Sequence, residues 1–243
     1  MKKTLLLFGF LATTIFSHAQ FLVRGKIEFE RKINVHKQFD GDAEWLNELK
    51  KHIPQYNITY FDFLFTGDKS LYKPGKENPD NGRDNWGEGP AKENVVYADY
   101  SKNTFTSFKK VFEQNFLVED SLKKIQWKIT SDTRKIAGFE CRKATAIIMD
   151  SVYVFAFYTD EIIVSGGPES FNGLPGMILG VAIPRISTTW FATKVELTEV
   201  AETELKKPVK GKKTDLATLQ TTLQTSFKEW GKYMQRNIWF III

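Results

Sequence analysis

Asp160 and Glu161 stand directly before a glycine- and proline-rich stretch, and they are the carboxylates whose setting best suits acid–base chemistry. Paired carboxylates divide acid and base roles when their environments differ. If the strand that carries them continues through both positions, however, neighbouring side chains point to opposite faces and the pair is split. Other reactive constellations are excluded more firmly. Beyond the first twenty residues the histidines are His36 and His52, both remote in sequence from Cys141, so the spacing of a His/Cys zinc site is missing. Asp80, Asp84 and Glu88 share a loop but lack the alternating pattern of a calcium loop, and they read as solvated charges. No Gly-x-Ser-x-Gly occurs, Ser165-Gly166-Gly167 reads as a turn, and the glycines fit neither phosphate-loop nor dinucleotide templates. No metal and no cofactor is expected. The lone Cys141 lies in a strand-like segment and reads as a small buried hydrophobe.

The segment from Tyr158 to Gly180 concentrates Gly166, Gly167, Pro168, Gly173, Pro175 and Gly176 between two apolar runs. Glycine permits positive φ and close backbone approach while proline fixes φ, so this composition demands one particular looped path. Two uses remain open. The loop is either a structural plug over one mouth of a sheet, anchored by Phe171, Leu174 and Met177, or a platform offering Asn172 and the backbone amides of residues 172–178 to a ligand. The candidate binding residues are therefore Asn172, Gly173, Leu174, Pro175, Gly176, Met177 and Ile178, with Trp127, Tyr158, Asp160, Glu161, Gly167 and Pro168 beside them.

The elements that must position these residues are mostly strands. Ile27, Phe29, Ile33 and Val35 alternate with Lys26, Glu28, Glu30, Lys32 and Asn34, the period-two pattern of a strand with one wet face. Further strands are expected at 58–66, 70–73, 94–100, 104–110, 113–119, 125–130, 141–149, 152–158, 177–183 and 188–200. Residues 152–158 read as a central strand covered on both faces. Asp40 and Asp42 precede helical spacing at Trp45, Leu46, Leu49 and Ile53, which predicts a short helix over 42–53 closed by Pro54. Leu216, Leu219, Leu223, Phe227, Trp230 and Met234 share one face of a longer amphipathic helix. The final residues 237–243 are β-prone and predict a last strand. Residues 74–93 form a long polar loop, and the basic run 206–213 reads as a solvated linker. The expectation is mainly β (α+β): a single curved antiparallel sheet, half-barrel or barrel-like, with a short N-terminal helix and a C-terminal amphipathic helix. Such a sheet buries the twenty Phe and six Trp economically.

Lys2 and Lys3 precede an apolar run over 5–16 that ends at Ser17-His18-Ala19, a pattern expected of a cleaved signal peptide spanning 1–19. The run is shorter than the roughly 20 residues that cross a bilayer. The mature chain, residues 20–243, is then one exported β-rich domain without a transmembrane segment, periplasmic or associated with the outer membrane. A formal charge of +5 over 243 residues does not argue for nucleic acid.

Gly173-Leu-Pro-Gly-Met-Ile178, with residues 125–129, 135–144 and 157–162 and Gly167-Pro168, resembles the GLPGLI family of exported proteins of the Bacteroidetes. The resemblance covers roughly residues 23–200, with Met177 in place of the usual Leu and Phe157 where Trp is common. It implies export and transfers no mechanism. The function expected on this basis is a non-enzymatic envelope binding or accessory protein, partnered by an outer-membrane transporter or another envelope protein. The alternatives are a carrier holding an apolar ligand, lipid or peptide, against Phe61, Phe63, Phe65, Phe155 and Phe157, and a carboxylate-dependent hydrolase.

Overall fold

A computed structural model of the chain describes residues 23–39, 43–79 and 91–243. The expected signal segment, the capping residues Asp40 and Asp42 and most of the expected polar loop lie outside the described residues. Among the described residues, twelve strands form one sheet. Six come from the first half of the chain: β1 (Gly25–Asn34), β2 (Tyr56–Phe65), β3 (Lys69–Pro74), β4 (Val95–Asp99), β5 (Thr104–Val111) and β6 (Gln114–Ser121). The others are β7 (Lys128–Ile136), β8 (Phe139–Ile148), β9 (Val152–Thr159), β10 (Met177–Ile183), β11 (Thr188–Glu196) and the short β12 (Lys212–Thr214). The described residues also form three α-helices: α1 (Glu44–His52), α2 (Leu216–Ser226) and α3 (Gly231–Ile242). Among the described residues, no helix is long and apolar enough to cross a membrane.

In the strand order β12-β6-β5-β4-β3-β2-β1-β11-β10-β9-β8-β7, the strands from β6 to β7 form two antiparallel meanders joined where β1 pairs with β11. This order dictates the curvature. β6 and β7 stand ten strand positions apart, which in a flat sheet is roughly 48 Å at about 4.8 Å per strand. The connection between them, residues 122–127, reaches at most roughly 25 Å when extended. The sheet must roll until its two ends approach each other, and the mainly β, curved architecture read from the sequence is what the chain adopts. It remains open, with β7 and β12 as its edges, and it is mixed, because β12 runs parallel to β6. The segment expected to be a solvated linker thus contributes an edge strand.

Alternation decides what faces inward. On β1 every second residue is buried, placing Ile27, Phe29, Arg31 and Ile33 on the concave face. Phe61, Phe63 and Phe65 join them from β2, with Phe29 edge-on to Phe63 at 6.1 Å between ring centres. Leu219 and Leu223 of α2 and Ile238 and Ile241 of α3 pack into the same core, so the helices fill the mouth of the rolled sheet. A smaller cluster of Leu64, Leu71, Val200 and Leu205 covers part of the convex face.

Four further sequence expectations are corrected. Residues 237–242 belong to α3 rather than to a last strand: Met234, Ile238, Phe240, Ile241 and Ile242 are all buried, and burial in the core overrides β-propensity. The longer helix expected from Leu216 breaks after Ser226 into α2 and α3. The strand expected from residue 125 begins at Lys128, and Ile125 and Trp127 in the connection pack on the core instead. Finally, β9 is not covered on both faces, since Tyr153 is 57% exposed and Phe155 and Phe157 are half-buried on the convex side. What shields them is charge over aromatic rings: Lys143 sits 5.5 Å from the Phe155 ring centre and Arg134 5.7 Å from that of Phe157.

Candidate functional site

Strand pairing across β7, β8 and β9 sets Thr133 opposite Arg142 and Arg142 opposite Tyr158. Arg142 shares the parity of the buried Ala144 and Ala146, and Tyr158 that of the buried Val154 and Ala156, so the row lies on the concave side at its rim. Glu140 follows the same parity one step towards the turn. β9 ends at Thr159 and the chain bends, which brings both Asp160 and Glu161 to the rim. The objection that neighbouring strand residues diverge therefore does not apply, because the strand has stopped. Together Thr133, Glu140, Arg142, Tyr158, Asp160 and Glu161 line an open cleft of about 290 Å³.

The cleft is polar and carries more negative than positive charge, with three carboxylates around one guanidinium. Arg142 Nη2 donates to Asp160 Oδ2 at 3.1 Å, and both side chains are more than half exposed. A pair this wet contributes about 0–1 kcal/mol, so it orients the two groups and adds little to stability. Tyr158 is 2% exposed, a rigid wall behind the charged rim. Cys141 lies one residue from both Glu140 and Arg142 and is fully buried. Burial, with the charges of Glu161 and Glu140 adding, pushes its thiol up to about 12, which keeps it protonated and unreactive.

The glycine/proline loop holds this corner in place. A Cβ on Gly176, whose φ is +145°, would stand 2.0 Å from the Thr159 carbonyl oxygen and 3.0 Å from Asp160 Cα. The Met177 amide donates to the Ile162 carbonyl at 2.9 Å, closing the loop back onto β9. Gly167 likewise lies against Ile178, where a Cβ would meet the Ile178 Cβ at 2.7 Å. Within the loop the polar groups serve one another. Asn172 Nδ2 donates to the Ser170 carbonyl at 3.0 Å, and the Asn172 carbonyl accepts from Trp127 Nε1 at 2.8 Å. The Gly173 amide donates to Ser165 Oγ at 3.1 Å, and Ser165 Oγ donates to the Leu174 carbonyl at 2.7 Å. Pro168 and Leu174 are buried, Gly173 and Pro175 are exposed, and Met177 and Ile178 open β10.

The structure thus joins Tyr158, Asp160 and Glu161 in one cleft and sets Asn172 and Gly173 in the adjoining glycine/proline loop, with Trp127 reaching them from the β6–β7 connection. Sequence reasoning missed Thr133, Glu140 and Arg142. Their signal was alternation within residues 139–148, which places Glu140 and Arg142 on the face of Ala144 and Ala146. The phenylalanines considered for an apolar ligand do not share a space: Phe61, Phe63 and Phe65 fill the core, while Phe155 and Phe157 lie on the convex face.

Residues 84–221 match the profile of the family described as N-glycanase peptide, N-terminal domain. Two crystal structures of PNGF-II, in space groups C2 and P21, share the fold with TM-scores of 0.53 and 0.52, each at 17% identity. They cover 89% and 84% of this chain and 33% and 34% of their own, so the chain spans about a third of the length of PNGF-II. No curated protein matches the chain. These matches overturn the GLPGLI resemblance, and with it the expectation of a non-enzymatic envelope binding or accessory protein. Two glycines of the motif are accounted for by packing at the β9–β10 corner, Gly176 by the approach of the Thr159 backbone and Gly167 by the Ile178 side chain. The family profile runs over more than half of the sequence, and the chain belongs to the N-glycanase peptide, N-terminal domain family.

Proposed function

We propose that the chain serves peptide N-glycanase function by seating the carbohydrate of an N-glycosylated peptide in the cleft at Arg142, Tyr158, Asp160 and Glu161. The observation that carries this reading is the gathering of six polar side chains at the concave rim of an N-glycanase-family domain. Sugar hydroxyls are donors and acceptors at once. Carboxylates accept from them, the guanidinium donates as a fork, and the Tyr158 ring supplies a flat wall. At about 290 Å³ the space stands near the lower end of small-molecule sites, about 300–1,000 Å³. We further propose that residues 20–243 act as one exported domain, the support being the signal-like run over 5–16.

Titrating the chain with an N-glycosylated peptide and with the same peptide lacking its glycan, by calorimetry, tests the reading. Saturable binding is expected only for the glycosylated form, weakened at least about tenfold by Arg142→Ala or Asp160→Asn, as loss of charge-assisted hydrogen bonds implies. Equal affinity for both peptides, or none for either, would overturn it.

A further inference from the structure

β7 is a free edge of the rolled sheet, and it borders the cleft, since Thr133 belongs to both. The strand pairs with β8 on one side, and among the described residues no backbone hydrogen bond reaches its other side. Ala137 and Gly138, with φ of +47° and +93°, form the two-residue turn of the β7–β8 hairpin. Such a turn makes the flanking Ile136 and Phe139 a hydrogen-bonded pair, and along an antiparallel ladder bonded pairs alternate with unbonded ones. Lys135 and Thr133, opposite Glu140 and Arg142, are therefore the residues whose N–H and C=O groups turn away from β8 to the open edge.

Four unpaired backbone groups in a row are a template for one more strand. A strand laid beside Thr133 would stand about 4.8 Å from β7 and roughly 10 Å from β8. Its side chains on the concave side would point the same way as Thr133 and Arg142, so a group carried on one of them reaches over Thr133 into the cleft. The edge itself sets what kind of strand fits. Register with β8 slips between Ile129 and Thr133, so regular pairing is confined to residues 133–136 and suits a short extended peptide. Asp132, Arg134 and Lys135 are exposed and disfavour an apolar strand. A second copy pairing by this edge would set Arg134 and Lys135 against their own kind. The opposite edge, β12, is three residues long and contributes nothing to the cleft.

We propose that the free edge of β7 takes the peptide part of an N-glycosylated peptide as an added strand, through the backbone groups of Thr133 and Lys135, while the glycan rests in the cleft. This rests on the reading of the cleft as a glycopeptide site. Because the contacts are made by backbone, the peptide's own side chains are free to vary, and what it must supply is an extended segment with unblocked amides.

Calorimetry on the full chain tests it with an N-glycosylated peptide, its free glycan, and the glycopeptide N-methylated on one or the other set of alternate backbone amides. The wild type should bind the glycopeptide about tenfold more tightly than the free glycan, the margin that a few backbone hydrogen bonds supply. Only one of the two methylated sets faces β7, so one methylated peptide should lose that margin and the other keep it. Lys135→Pro, which removes an amide pointing away from β8 and is tolerated on an edge strand, should also cancel the margin, while Lys135→Ala, which keeps the amide, should retain it. Methylation leaves the protein untouched, so the test stands even if Lys135→Pro does not fold. If the free glycan binds as tightly as the glycopeptide, or both methylated peptides bind as the parent does, the added strand is refuted and the cleft reading survives. If neither glycopeptide nor free glycan binds, both readings fall.

Discussion

Lys123 donates to the carbonyl of Ile242 at 2.5 Å and to that of Ile243 at 3.1 Å, tying the β6–β7 connection to the end of α3. Burial, with Lys109 adding repulsion, pulls its ammonium down to about 7 from an ordinary 10.5. The unfolded chain keeps this proton up to about pH 10.5 while the folded chain releases it near 7, so the unfolded state binds more protons across that window. Stability from this group therefore rises as the pH climbs from about 7 to 10.5 and is flat below 7. Urea unfolding at pH 7 and pH 9.5 should show a gain for the wild type that shrinks in Lys123→Met. An equal gain in both would show that Lys123 titrates normally. The inward position of Arg31 and Lys109 was legible from strand parity, since each falls on the register of its hydrophobic neighbours. That Glu169 would turn inward was not legible, because it depends on a left-handed backbone inside a loop.

The β9–β10 loop was legible as a fixed path, and the structure supplies its reason. Gly176 lies against the Thr159 carbonyl, while Gly173, with φ +90°, meets only the edge of the Trp127 ring at 3.7 Å. Replacing each by Ala separates close approach from conformational strain. Gly173→Ala should cost about 1–2 kcal/mol, the left-handed penalty alone. Gly176→Ala should cost about 3 kcal/mol or more, because backbone must move, and it should displace Asp160 and so weaken glycopeptide binding. Equal melting points for the two variants would refute this account. α3 shows the reverse case, in which local propensity misleads: its isoleucines favour strands, and only the core they enter makes them helical.

The order of strands imposes a folding constraint on the whole molecule. β1 is the seam between the meanders, and it pairs with β11 from the far end of the domain. Closing so long a loop before any pairing offsets its entropy is slow, and sheets built on non-local pairs fold in about milliseconds to seconds. Stopped-flow refolding should thus be slow, and Ile27→Ala at the seam should accelerate unfolding. Refolding in microseconds would contradict the topology. By itself the sequence determined the alternation of each strand, the looped path of residues 165–176 and the mainly β class, because these rest on local sterics and on burial with period two. Only the tertiary structure decided that residues 237–242 are helical, that β12 adds to β6 as a parallel edge, and that Asp160, Glu161, Glu140 and Arg142 share one cleft. Those outcomes depend on which distant strands pair and where a strand stops, and both are set by the packing of the whole chain.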